Sequence, residues 1–320
     1  MTVLQSTAKA CLVACLLSGG APVLADEVAR PDKVSIYFAA HADDWQLFMN
    51  PSAFQDVIEG AAKTVFIHVT AGDAGLGAGK GGRRHPLFLA RENGAEQAIR
   101  FMADTDSTPV NKVAAPMTFN GHAIYRVTYR RTVSYFLRVP DGHWSGSGYE
   151  ETGFQSLERL NTGANHELRA IDGSTTYRGW DDLVKTMRAI VDHERGATTQ
   201  VQINVAELDR RINPNDHSDH LMTARAALDA VKDLACVRRV SYVDYASSKL
   251  RANLRARERD MESSVFAVTL AGVQALDHPT SWKHYDSSFV GRNYFRVREG
   301  AGRCTPARTE VAVADAVPGP

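Results

Sequence analysis

The sequence predicts an α/β protein: a Rossmann-like open, mainly parallel sheet with helices on both faces and an inserted β-hairpin region. Three observations carry this. Short, nearly unbroken apolar runs rich in β-formers recur at residues 34–40, 64–70, 200–205 and 240–245, a pattern that suits strands buried on both faces. Segments with helical spacing alternate with them, as parallel sheets require. The chain has 320 residues, 44% hydrophobic and 23% charged, ordinary for one large globular domain and unlike a disordered polymer or a multi-span membrane protein.

In chain order, 34–40 is the first buried strand, and 51–62 reads as a helix with Phe54, Val57, Ile58 and Ala61 on one stripe. Pro51 suits its first turn. A second strand at 64–70 leads through a Gly-rich loop to a helix at 87–102. Residues 123–139 alternate like strand and, with the loop 140–148, read as a hairpin inserted beside the sheet, within an insertion of about 120–180. A helix at 180–194 precedes the strand at 200–205. A second helix, 217–234, carries Leu221, Ala224, Leu228 and Val231 on one stripe and precedes the strand at 240–245. A long amphipathic helix at 257–276 follows, and 305–320 reads as a loose, Ala-, Pro- and Gly-rich tail.

The first 25 residues stand apart. One charge, Lys9, precedes the apolar run 10–17 and small residues ending Val23-Leu24-Ala25, the layout of a cleaved secretory signal. The run is shorter than the about 20 residues that span a bilayer, and Gly19, Gly20 and Pro22 break any helix there. The expectation is therefore an exported, periplasmic or extracellular protein with no stable membrane insertion and one domain over 26–304. Of the four cysteines, Cys236 and Cys304 remain after cleavage; they could pair, or be one buried thiol and one tail thiol. Lys plus Arg equals Asp plus Glu at 37 each, so nothing in the overall charge calls for a nucleic-acid partner.

Two clusters carry chemistry. The first strand ends in His41-Ala42-Asp43-Asp44, and ligands of open α/β sheets bind outside the carboxyl ends of strands. Adjacent carboxylates and an imidazole there repel unless something positive lies between them, and a divalent cation would serve; a simple turn with an Asp capping the next helix is the alternative. The second cluster, Asn213-Pro214-Asn215-Asp216-His217-Ser218-Asp219-His220, opens a helix after the strand at 200–205, with Asn215 or Asp216 as its N-cap. His217 and His220 then share one face of the first turn, where the positive helix end favours neutral, metal-binding imidazole.

Together these clusters resemble the LmbE/PIG-L family of zinc-dependent N-acetylglucosaminyl deacetylases, whose A-H-P-D-D and H-x-D-H motifs match Ala40-His41-Ala42-Asp43-Asp44 and His217-Ser218-Asp219-His220 in order and placement. Supporting features are 70–75 after the second strand and Arg91-Glu92, with Ala95 and Ala98, on the next helix; the likeness runs from about 33 to 250. Ala42 departs from the usual Pro, and Trp45 from the frequent Glu. The resemblance implies one Zn²⁺ per chain on His41, Asp44 and His220, an open site with zinc-bound water as nucleophile. It implies Asp43 as general base, a protonated His217 stabilising the oxyanion, and Asp219 orienting a histidine. Either Asp43 or His217 could protonate the leaving amine. The H-x-x-H spacing by itself also admits both His217 and His220 as ligands.

The implied reaction is hydrolysis of an acetyl group from an N-acetylated sugar or glycoconjugate. Alternatives are a zinc amidase or esterase on another acylated small molecule and a non-catalytic carbohydrate-binding protein with a structural metal. The stretch 77–82 matches G-x-G-x-x-G, but follows the second strand and meets no helix directly, so it reads as a rim loop rather than a dinucleotide site. Arg91, whose helix starts near the site, is the expected substrate contact; Arg83 and Arg84 read as a solvated basic edge. Trp144 reads either as a sugar-stacking platform or as a tucked-in anchor.

Overall fold

A computed structural model describes residues 32–104 and 108–300. The expected signal at 1–25, Cys304 and the tail 305–320 lie outside the described residues.

Four apolar runs become the centre of an eight-stranded sheet in the order β10-β9-β8-β1-β2-β5-β4-β3. Its strands are β1 (Val34–Ala39), β2 (Lys63–Thr70), β3 (Val113–Phe119), β4 (His122–Tyr129) and β5 (Thr132–Val139). A separate hairpin, β6 (Glu167–Arg169) with β7 (Thr176–Arg178), is followed by β8 (Val201–Ala206), β9 (Val237–Tyr242) and β10 (Phe295–Arg298). The neighbours from β9 through β8, β1 and β2 to β5 are parallel, and both edges are antiparallel. This is the expected mainly parallel α/β sheet.

Helices cover both faces because the parallel strands are apolar on both. The helices are α1 (Asp44–Phe48), α2 (Ser52–Gln55), α3 (Leu87–Ala103), α4 (Leu157–Thr162), α5 (Trp180–Arg195), α6 (Ser218–Val231), α7 (Ala256–Ala275) and α8 (Trp282–Ser288). One core joins Ile36, Ile67, Leu137 and Ile203 to α5 and α6. The other joins Tyr37 and Phe66 to α1, α3 and α7. α3 and α7 meet backbone to backbone at two glycines: a Cβ on Gly272 would lie 2.7 Å from the Cα of Gly94.

Three expectations need correction. Residues 123–139 are not a hairpin beside the sheet: they form β4 and β5 within it, and β5 pairs parallel with β2, burying both its faces. The independent hairpin of the 120–180 region is β6–β7. The helix expected at 51–62 is α2 continued by one wider π-type turn, Asp56–Gly60. The N-cap of α6 is His217 itself, not Asn215 or Asp216. Cys236 is disulfide-bonded, and the other three cysteines lie outside the described residues. No helix among the described residues is long and apolar enough to cross a membrane.

Candidate metal centre

The parallel strands deliver acids to one end of the sheet. Asp44 follows β1, Asp73 follows β2, Asp141 follows β5, Asp216 lies in the loop after β8 and Asp244 follows β9; all are buried. Thr70, at the end of β2, pins the turn after β1: its backbone N–H and its hydroxyl both donate to the Ala40 carbonyl, at 2.8 and 2.9 Å. That turn projects His41 and Asp44 inward and leaves Asp43 at the wall of a cavity. Trp45 is fully buried against Phe66, and its indole N–H donates to His68 Nε2 at 3.1 Å. Burial holds His68 down at about 4, so it stays the neutral acceptor this bond needs. Trp45 thus braces the loop from the core side.

The two motifs come together. Ligand atoms of His41, Asp44 and His220 lie within 4.8 Å of one another. Asp44 Oδ1 is 3.2 Å from His220 Nε2 and 3.5 Å from His41 Nδ1, while its Oδ2 accepts the His41 backbone N–H at 2.7 Å. His220 Nδ1 sits 2.9 Å from Asp216 Oδ1 and 3.3 Å from Asp244 Oδ2. A neutral His220 therefore gives its Nδ1 proton to those acids and turns a bare Nε2 lone pair on the Asp44 carboxylate. Two lone pairs facing each other in a buried site fit a cation between them. The buried Nε2 of His220 has no hydrogen-bond partner among the described residues, which fits the same reading, whereas that of His41 faces Asp219.

Two overlapping groups, His41–Asp141–His217–Asp219 and Asp216–His220–Asp244, are also close enough to hold an ion. One oxygen each of Asp219, Asp141 and Asp216 is engaged already. Asp219 Oδ2 accepts the Gly142 N–H at 2.8 Å, Asp141 Oδ1 accepts the His143 N–H at 2.9 Å, and Asp216 Oδ2 accepts the Asn213 amide at 2.8 Å. These acids flank the His41–Asp44–His220 set. Asp219 lies 3.4 Å from His41 Nε2, the position from which a carboxylate orients a histidine.

Burial pulls the His41 imidazole down, but Asp44, Asp219 and Asp141 outweigh it and hold its pKa up at about 10. His220 is likewise raised well above its ordinary value, burial being overcome by Asp44 and Asp216. Asp44 is driven low by the two imidazoles despite burial. Asp244 rises to about 7 through burial and then Asp216.

His217 is the exception. Burial, then His41 and His220, push it down to about 3. This direction runs against the protonated His217 that the family resemblance implies. Its Nδ1 accepts the Asp219 backbone N–H at 3.1 Å, so its proton sits on Nε2. Its ring meets His41 edge-on with centroids 4.9 Å apart.

Asp43 faces a cavity of about 380 Å³ whose lining includes Arg91. Arg91 Nη1 lies 3.5 Å from Asp43 Oδ1. The Gly-rich stretch contributes Gly81, with Leu76 and Arg83 beside it, so it is a rim loop. Trp144 is 47% exposed, and its ring lies 5.6 Å from that of His217 and 5.2 Å from that of Tyr245. Sequence reasoning missed Asp141, Asp244 and Tyr245, whose ring stacks on His220 at 5.1 Å.

No protein-family profile matches the chain, and no curated protein sequence does either. Among solved structures, the chain is similar to N,N'-diacetylchitobiose deacetylase from Pyrococcus horikoshii, with TM-score 0.44, 12% identity, and 83% of this chain and 84% of that one covered. It is similar to the zinc-inhibited form of teicoplanin deacetylase Orf2, with TM-score 0.43, 13% identity, and 84% and 99% covered. It is also similar to GalB, the 4-carboxy-2-hydroxymuconate hydratase from Pseudomonas putida KT2440, with TM-score 0.39, 11% identity, and 87% and 100% covered.

Proposed function

We propose that this chain is a zinc-dependent hydrolase that removes an acetyl group from an N-acetylated sugar or glycoconjugate. The observation that carries the reading is the convergence of His41, Asp44 and His220 within 4.8 Å, His220 with a buried ring nitrogen that has no hydrogen bond, beside a cavity walled by Asp43. A zinc ion on these three residues would supply Lewis acidity to a hydrolytic water and to the acyl oxygen.

The chain's own groups do the rest. Asp43, partly exposed at the cavity wall, takes a proton from the attacking water. Arg91, 3.5 Å away, fixes the carboxylate. His217 acts as a neutral hydrogen-bond donor through Nε2 at the developing oxyanion, which needs no charge on the ring. The proton held by Asp43 passes to the leaving amine. Asp219 fixes His41, and Asp216 and Asp244 fix His220.

Export belongs to the same proposal. It is supported by the layout of residues 1–25 and by the disulfide at Cys236, a bond that persists in oxidising compartments.

The test pairs metal analysis with acetate release from N-acetylated sugars, in the wild type and in Asp43→Asn. Expected are about one zinc per chain in both proteins and a loss of turnover of about 10²–10⁴-fold in the variant. A binding protein with a structural metal would be indifferent to the change. A metal-free, inactive wild type would overturn the proposal.

A further inference from the structure

The cavity beside Asp43 carries a charge imbalance. Its ionised lining groups are Asp43, Arg83 and Arg91, a surplus of one positive charge. Arg91 is spoken for by Asp43 at 3.5 Å, and Gly72 packs against it so closely that a Cβ there would sit 2.6 Å from Nη1. The third polar nitrogen group, His278, is tied to the His85 carbonyl at 2.8 Å. Arg83 is exposed, and among the described residues no carboxylate lies within ion-pair distance of it. Its neighbour Arg84 differs: it turns out of the cavity, with Asp277 3.9 Å away.

The rest of the wall is two-sided. Thr280 and Ser281 offer hydroxyls, and Leu270 and Val273 of α7 offer an apolar strip. Thr280 Oγ1 already accepts the Gln274 amide at 3.0 Å, so its own proton is free to donate. A concave site with surplus positive charge concentrates anions, and a guanidinium suits the forked oxygens of carboxylate or phosphate.

We propose that this cavity selects an acylated substrate bearing an anionic group, carboxylate or phosphate, away from its scissile amide, and that Arg83 is the residue that reads that anion. The inference rests on the hydrolase reading above and narrows its substrate class. Arg83 is a specificity residue and takes no part in bond breaking. On this reading Arg83 departs from the solvated edge expected of it, and Arg84 does not.

The experiment compares three probes on the zinc-reconstituted full chain: neutral N-acetylglucosamine, its 6-phosphate, and N-acetylmuramic acid, which carries a carboxylate. Acetate release gives kcat/KM, and calorimetry gives binding of the same probes. Expected is a preference for at least one anionic probe of about tenfold at low salt, the scale of one charged hydrogen bond. Which probe gains identifies phosphate or carboxylate. The preference shrinks in high salt. In Arg83→Gln the anionic-to-neutral ratio collapses; Arg83→Lys restores part of it; Arg84→Gln leaves it in place. Equal handling of all three probes by the wild type, or an unchanged ratio in Arg83→Gln, overturns the inference. Arg83-dependent anion binding without acetate release upholds it and sinks the hydrolase reading instead.

Discussion

Strand β1 connects two buried carboxylates that are treated in opposite ways. Near its start, Asp56 sits in a closed network. Lys33 donates to one oxygen at 2.8 Å, and the hydroxyls of Ser35 and Tyr37 donate to the other at 2.6 and 2.7 Å. Asn204 completes the ring, donating to Ser35 at 2.9 Å and accepting from Tyr242 at 3.3 Å. Past the end of β1, Asp44 meets two imidazoles and, beyond them, four more acids. Donors are scarce there, and His41 Nε2, His220 Nε2, Asp219 Oδ1 and Asp244 Oδ1 are buried without hydrogen bonds. A buried polar cluster that satisfies itself stabilises one fold; a cluster left open is built for something that arrives later.

The comparison breaks if the two clusters respond alike to loss of their acid. Asp44→Ala should carry the largest effect: zinc falls from about one equivalent to near none, and acetate release falls below detection. Asp56→Ala should keep its zinc and lose stability instead, about 3 kcal/mol, because two hydroxyls and an ammonium group are left without their acceptor. Metal analysis and urea midpoints separate the two outcomes. Zinc loss in Asp56→Ala, or full zinc in Asp44→Ala, would show that the division is mistaken.

Much of this was legible from local pattern. The central strands and α3, α5 and α6 lie within a few residues of where apolar periodicity places them, since each is read within its own window. The meeting of 41–44 with 217–220 was implied by the resemblance of the two motifs to a deacetylase family, and strand-end placement agreed with it. What escaped depends on distant pairing. β5 looks like half of a local hairpin, yet its other partner is β2, at Thr64↔Thr132. Misplacing β5 hid Asp141, which ends that strand at the site. His217 escaped as a cap because His is an uncommon one; Asp216 has the better propensity but is drawn inward by Asn213 and His220.

A smaller effect sharpens the comparison within the open cluster. Asp216 touches no ion in the proposed arrangement; it holds His220 through Nδ1 at 2.9 Å. Asp216→Asn keeps the shape and weakens that hold. Zinc affinity should drop about 10–100-fold, with the stoichiometry kept at saturating metal. An unchanged affinity in a competition titration would assign the orientation of His220 to Asp244 alone.

Glu262 on α7 gives the smallest effect and tests what a lone buried acid does. One of its oxygens accepts the Gly291 N–H at 2.6 Å; the other has no hydrogen-bond partner among the described residues. Burial, only partly opposed by that bond, raises its pKa from 4.5 to about 8. The unfolded chain therefore loses this proton near 4.5 while the folded chain keeps it to about 8. Across that window the folded state binds more protons, so this group's contribution to stability is whole at pH 4.5 and below and declines as pH rises to about 8. Glu262→Gln cannot titrate. The melting temperature of the variant relative to wild type should rise by a few degrees between pH 5 and 8.5; a flat difference would mean that the carboxyl ionises freely where it sits. Glu262 escapes a buried charge by keeping one proton. Asp44 goes the other way: His220 and His41 beside it lower its pKa despite burial.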